Sequence, residues 1–145
     1  MLTLEILQSS SMKQPLQWKE GKIFKVLFTI TPTNVDSAGN ANPYVAGGDT
    51  LDLTQLVNLA GGAPGATLPT FESVARVVIQ SQPAAPGAAS CYEYRYCSGS
   101  ALNNGTMQVF TGAAAQSGFT ELAAGNYPAA VLADVIVGEA YFVMP

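Results

Sequence analysis

Apolar and polar residues alternate every second position through the ordered runs of this sequence, and no stretch keeps a helical period for three or more turns. Side chains alternate across a strand but not along a helix, so this pattern commits the chain to β-structure. From Lys22 to Thr31 (KIFKVLFTIT), Phe24, Val26, Phe28 and Ile30 share one face, while Ile23, Lys25, Leu27 and Thr29 share the other. Both faces are partly apolar, as expected of a strand inside a sandwich or beneath a neighbouring subunit. Val74 to Gln82 places Ala75, Val77 and Ile79 on one side, and Cys91 to Ser98 places Tyr92, Tyr94 and Tyr96 together. Thr106 to Thr111 is short and rich in β-formers. Val131 to Met144 reads as a long strand, with Val135, Val137, Tyr141 and Val143 opposing Ile136, Ala140 and Phe142. Gly138 inside that run signals a bulge or a close backbone approach. Leu2 to Leu7 alternates weakly, so the N-terminal segment, about residues 1–20, is expected to be an arm or an edge strand.

Turn-forming residues separate these runs. Thr31 to Asn42, Gly47-Gly48, Gly61 to Gly65, Pro83 to Gly87, Asn103-Asn104-Gly105 and Gly125-Asn126 are rich in Gly, Pro and Asn, the residues that turns require. Asn104-Gly105 between two β-like runs predicts a hairpin. Asp52 to Leu59 predicts one short helical turn, capped by Asp49 or Thr50. No internal repeat or linker divides the 145 residues, a length suited to one core. The expected fold is therefore all-β, a single domain over 1–145. About six to eight strands with long Gly/Pro/Asn-rich loops suit a two-sheet antiparallel β-sandwich, jelly-roll-like in connectivity.

Composition narrows function. Charged residues are 11% of the chain against 48% hydrophobic, and charged residues make up about 25% of ordinary soluble domains. A surface so poor in charge is cheaply desolvated and suits a protein docked on others or packed in many copies. The formal charge is −4, and the six cations, Lys13, Lys19, Lys22, Lys25, Arg76 and Arg95, are scattered. Phosphate-backbone binding needs clustered cations, so direct nucleic-acid binding is not expected. The opening MLTLEILQSS has neither the basic nor the long apolar region of a secretory signal. No run approaches the roughly 20 apolar residues of a membrane span. The expectation is a soluble product made in the cytoplasm, without membrane attachment. Cys91 and Cys97 on one strand would stand roughly 20 Å apart, so free, buried thiols are expected rather than a disulfide.

Chemistry has little to work with. The chain has no histidine, which removes the usual hydrolase triads and most zinc sites. Gly47-Gly48-Asp49-Thr50 lacks the lysine and spacing of a phosphate-binding loop and reads as a structural turn. The ten carboxylates show neither a calcium-loop spacing nor a selected glycosidase pair. Catalytic, metal and cofactor-binding residues are accordingly not assigned, and no cofactor is expected. Candidate interface residues are Met1, Leu2 and Leu4 in the N-terminal segment, Trp18 as an anchor, and the Tyr92, Tyr94, Tyr96 stripe. That stripe is either a stacking platform for sugars or bases or a sandwich face whose hydroxyls reach the rim or a neighbouring subunit.

Two stretches carry a family likeness. Tyr44-Val45-Ala46-Gly47-Gly48-Asp49-Thr50-Leu51-Asp52-Leu53 resembles a Gly-Gly-Asp-Thr-Leu-aspartate stretch of small virion structural proteins of tailed bacteriophages. Leu122-Ala123-Ala124-Gly125-Asn126-Tyr127-Pro128, followed by a strand ending in Tyr141-Phe142, is similar to the same group. The resemblance implies a capsid decoration (cement) protein, a β-sandwich on the outer head surface that clamps neighbouring subunits of the major capsid protein and assembles with copies of itself, as a homotrimer. It transfers no catalytic residues. Other virion roles (tail, head–tail joining or fibre-associated) suit the same composition, and a carbohydrate-binding module shares the sandwich class.

Overall fold

In the computed structural model, described over residues 1–6, 17–20, 23–56, 73–81, 92–112 and 118–143, the alternation becomes two antiparallel sheets. Strand β3 (Ile23–Pro32) turns Val26, Phe28 and Ile30 inward and leaves Lys25, Leu27 and Thr29 on the outer face. Its neighbour β9 (Ile136–Val143) buries Ile136, Gly138, Ala140 and Phe142 in strict alternation. Phe28 lies directly opposite Gly138. A Cβ at Gly138 would run into the Phe28 ring, so this glycine serves a close approach, one of the two roles expected of it. On the far side of β9 runs β5 (Ser73–Ser81). A bulge between Val74 and Arg76 takes Ala75 out of the register in which the sequence placed it, while Val77 and Ile79 keep the inward face.

The opposite edge of β3 is shared by two strands. β1 (Leu2–Ile6) pairs with Phe28 to Pro32 and β2 (Gln17–Glu20) with Ile23 to Val26. The N-terminal segment is thus an edge of the first sheet, whose order is β1-β3-β9-β5, with β2 also on β3.

The second sheet is centred on β7 (Gly105–Gly112). β6 (Tyr92–Cys97) lies on one edge, and β4 (Asp49–Leu51) and β8 (Phe119–Glu121) lie end to end on the other. β6 and β7 form the expected hairpin, but residues 98–104 connect them rather than a two-residue Asn-Gly turn. Asn104 organises that loop by accepting the Ala101 N–H at 2.9 Å and donating to Ser100 at 3.0 Å. The links from β3 to β4, β4 to β5, β5 to β6 and β8 to β9 each pass between sheets. This gives a two-sheet antiparallel sandwich.

The final strand is shorter than the sequence suggested. Ala129–Leu132 form a helical turn, α1, entered through Pro128, because Pro at a helix start followed by Ala and Leu favours the helix over the strand. The other helical segment begins at 54–56. Its cap is Asp52, which accepts the Thr54 N–H at 3.0 Å, and neither Asp49 nor Thr50 fills that role; residues 57–59 lie outside the described part. β2 lies within the N-terminal segment expected as an arm or edge strand, whereas β4 and β8, three residues each, are too short to display a period.

One core joins the sheets. Val26, Phe28, Ile30, Ile136 and Phe142 from the first meet Leu51, Tyr94, Met107 and Val109 from the second. Burial of each such large side chain stabilises the fold by about 1.5–3 kcal/mol. Asp134 staples the sheets near α1: Ser81 of β5 and Tyr94 of β6 donate to it at 2.8 and 2.7 Å.

Candidate functional site

The stretch from Tyr44 to Leu53 folds as a turn feeding a strand. Gly47 and Gly48 take φ values of 94° and 99°, a region that glycine enters without steric cost. Gly48 also lies against the backbone of β7, where a Cβ would stand 2.8 Å from the Met107 carbonyl oxygen. The Gly48 N–H donates to Val45 O at 3.0 Å to close the turn. Thr106 anchors the turn to β7 by donating to Gly47 O at 3.1 Å. Of the four residues read as a structural turn, Gly47 and Gly48 lie in it, whereas Asp49 and Thr50 already belong to β4.

Asp49 is 9% exposed, and its carboxylate is surrounded by donors. Oδ1 accepts the Val45 N–H at 3.1 Å, and Oδ2 accepts the Tyr127 hydroxyl at 2.8 Å. The Met1 ammonium lies 3.4 Å from Oδ2. A second carboxylate repeats the arrangement nearby. Glu121 Oε1 accepts the Tyr44 hydroxyl at 2.8 Å and the Gly47 N–H at 2.6 Å. The Tyr44 oxygen in turn accepts the Val109 N–H at 3.3 Å. The Tyr44 and Tyr127 rings pack at a centroid distance of 5.4 Å.

Backbone contacts lock the two segments together. Tyr44 and Gly125 exchange N–H to carbonyl bonds at 2.8 and 3.0 Å. Asn34 grips the backbone of Tyr127, accepting its N–H at 2.6 Å and donating to its carbonyl at 3.3 Å. This cluster joins β4, β7 and β8 of one sheet to Met1 and the loop after β3 of the other. Buried phenols beside carboxylates resist ionisation. Burial above all pushes the Tyr44 phenol up to about 12, while burial followed by the bond to Asp49 raises that of Tyr127 further. Both remain protonated donors near neutrality, so the cluster is suited to bracing the fold.

The candidate interface residues separate on inspection. Leu2 and Leu4 are 6% and 4% exposed: within one copy the inward face of β1 packs into the core. Met1 is half-buried beside Asp49. Trp18 has its backbone in β2 opposite Lys25, and its side chain lies outside the described part. The tyrosine stripe points inward. Tyr94 is buried, and Tyr92 and Tyr96 pack partly buried against the core, because they pair with the inward residues Val109, Thr111 and Met107. Within one copy Tyr94 thus packs in the core, and the stripe's shared face is turned toward it rather than open as a stacking platform.

Outside the core, β6 exposes Arg95, which donates to Glu93 at 2.7 Å and lies over the Phe110 ring. Cys97 is free and exposed rather than buried, its thiol donating to Gln108 at 3.1 Å; Cys91 lies outside the described residues. On the first sheet's outer face, Lys25 pairs with Glu139 at 3.1 Å, and Tyr141 donates to Glu139 at 2.8 Å. Val45 and Phe119 are more than half exposed. An open recess of about 380 Å³ lies beside the carboxylate cluster, bordered by Leu2, Asn42, Val45, Asp49 and Gln55.

Among the described residues no three His, Cys, Asp or Glu stand close enough to hold a metal ion. No described helix is long and apolar enough to cross a membrane. No local pattern marks Glu121 or Asn34, whose partners are supplied entirely by tertiary folding. No protein-family model, no curated protein and no solved structure matches this chain, so its functional reading rests on its own residues.

Proposed function

We propose that this chain is a non-enzymatic virion structural protein, a capsid decoration (cement) protein that binds the outer head surface. In this reading it is made in the host cytoplasm and stabilises contacts between major capsid subunits, acting as a homotrimer without cofactor, nucleic acid or membrane. The observation that supports it most is the engagement of Tyr44, Gly47, Asp49 and Tyr127 in internal bracing. These residues carry the likeness to virion structural proteins, and they serve to hold a sandwich rigid. A scaffold of that kind presents its sparsely charged surface to partners in a fixed shape, which lowers the entropic cost of docking.

A tail, head–tail-joining or fibre-associated subunit draws equally on the low charge. The carbohydrate-binding reading loses its principal sequence support with the inward-facing Tyr94. Sedimentation with particles that lack the chain tests the proposal. Decoration predicts saturable, stoichiometric pelleting with heads, unaffected by added polysaccharide. Retention on glycans without binding to heads would favour the sugar-binding module instead.

A further inference from the structure

The open recess of about 380 Å³ lies where β1, in the first sheet, approaches β4 of the second. Met1 and Leu2 border it from one sheet, and Gly48, Asp49 and Thr50 from the other. Its size falls within the range of about 300–1,000 Å³ for small-molecule sites. Asn42 and Gln55, both half-buried, also line it. Among the described residues, no hydrogen bond engages the side chain of Asn42, Thr50 or Gln55. The other described asparagines without side-chain bonds, Asn103 and Asn126, are exposed to water. Half-buried carboxamides left without an internal partner call for a polar one from outside.

The lining restricts the chemistry of that partner. The Asp49 carboxylate lies 3.4 Å from the Met1 ammonium, so an ion of either sign would meet a like charge. No lysine or arginine lines the recess to hold a phosphate. One carboxylate falls far short of the six to eight oxygens that calcium takes. An apolar ligand would strip water from two carboxamides and a hydroxyl without replacing it, at a cost in free energy. A neutral ligand with closely spaced groups that both donate and accept remains. Carboxamides and hydroxyls each do both, as do the hydroxyls of a sugar. Val45, 58% exposed at the rim, offers an apolar surface to the C–H face of a sugar ring.

We propose that this recess is a saccharide-binding site for one hexose ring, free or at the end of a surface glycan. Asn42, Thr50 and Gln55 are its hydrogen-bonding residues. Its walls are held in place before any ligand arrives. The Asn42 N–H donates to Asn34 O at 2.8 Å, and the Gly47-Gly48 turn is anchored through Thr106 and Glu121. Such preorganisation lowers the entropic cost of binding. The site is separate from the tyrosine stripe and independent of the virion reading, which needs no ligand here.

Saturation-transfer NMR with the methyl glycosides of glucose, galactose, mannose and N-acetylglucosamine probes free sugars, and retention on a glycan array probes displayed ones. At least one sugar should bind saturably. Asn42→Ala/Gln55→Ala should weaken that binding about tenfold or more and leave the unfolding midpoint unchanged, since neither side chain has an internal bond. If the double variant folds poorly, Thr50→Val, at an exposed position of β4, decides by the same loss of binding. Capture on the array assigns a surface glycan, and binding of free glycosides alone assigns a soluble sugar; either supports the site. Silence in both arms overturns the proposal, as does sugar binding that the folded variants retain at full strength. Transfer to a triserine control peptide and to no glycoside overturns it in favour of a peptide ligand.

Discussion

The Tyr127 hydroxyl donates to Asp49 Oδ2 over 2.8 Å, joining residues 78 positions apart. This bond ties the segment before α1 to the start of β4, and it gives a nearly buried carboxylate one of its partners. Removing the hydroxyl by Tyr127→Phe is expected to cost about 1.5–3 kcal/mol, the range for a bond to a charged group. Asp49→Ala should cost more, about 3–5 kcal/mol, because it strands the Tyr127 hydroxyl and the Val45 N–H together. Denaturant unfolding of the two variants and of their combination measures both. The double variant should lose less than the sum, since the two residues share one interaction.

Gly138 and Phe28 make a steric prediction. Gly138→Ala drives a methyl group into the Phe28 ring, and such overpacking costs about 1–3 kcal/mol. Adding Phe28→Leu to Gly138→Ala should make the alanine's own cost smaller than it is in the native background. Unfolding midpoints across that cycle provide the check.

Alkaline pH should unfold the protein through its buried phenols. Tyr44 is raised from 10 to about 12, and Tyr127 is raised as well. Above pH 10 the unfolded chain therefore holds fewer protons on these groups than the folded one, so stability falls as pH rises. The contribution is fully present below pH 10 and is lost as pH climbs through about 12. Each phenol steepens the loss by up to about 1.4 kcal/mol per pH unit. Tyrosinate absorbance and circular dichroism followed together should change in one transition, and Tyr44→Phe should make stability less steeply dependent on pH in this window.

Cys97 should react with a thiol reagent in the folded protein, since it lies exposed on β6. Its modification should change stability by less than about 0.5 kcal/mol, as for surface sites generally. Peptide mass mapping after brief labelling, paired with a melting curve, reads both quantities.

The strands that alternate over many residues were legible in the sequence; the features that depend on remote partners were not. Val26, Phe28 and Ile30 in β3, and Ile136, Ala140 and Phe142 in β9, declared their shared faces through period two. The tyrosines of β6 declared that they share a face, but periodicity is silent about which face meets the core. Their inward direction follows from pairing with Met107 and Val109. Leu2 and Leu4 alternate too weakly to announce burial, which comes from the slot on β3. The Gly-Gly-Asp-Thr turn was visible because glycine needs no distant partner to signal a turn. The burial of Asp49 was not, since Tyr127 is brought to it only by the completed fold. Val131 to Val135 followed a β-like pattern, yet Pro128 and the alanines after it started a helical turn instead.

The decoration role is tested most directly by counting this chain in purified particles from its source, using quantitative mass spectrometry against the major shell protein. The account predicts a ratio on the order of one to one, as repeated symmetric surface contacts require. A handful of copies per particle would contradict decoration and point to the tail or the head–tail joint, and complete absence would contradict any virion role.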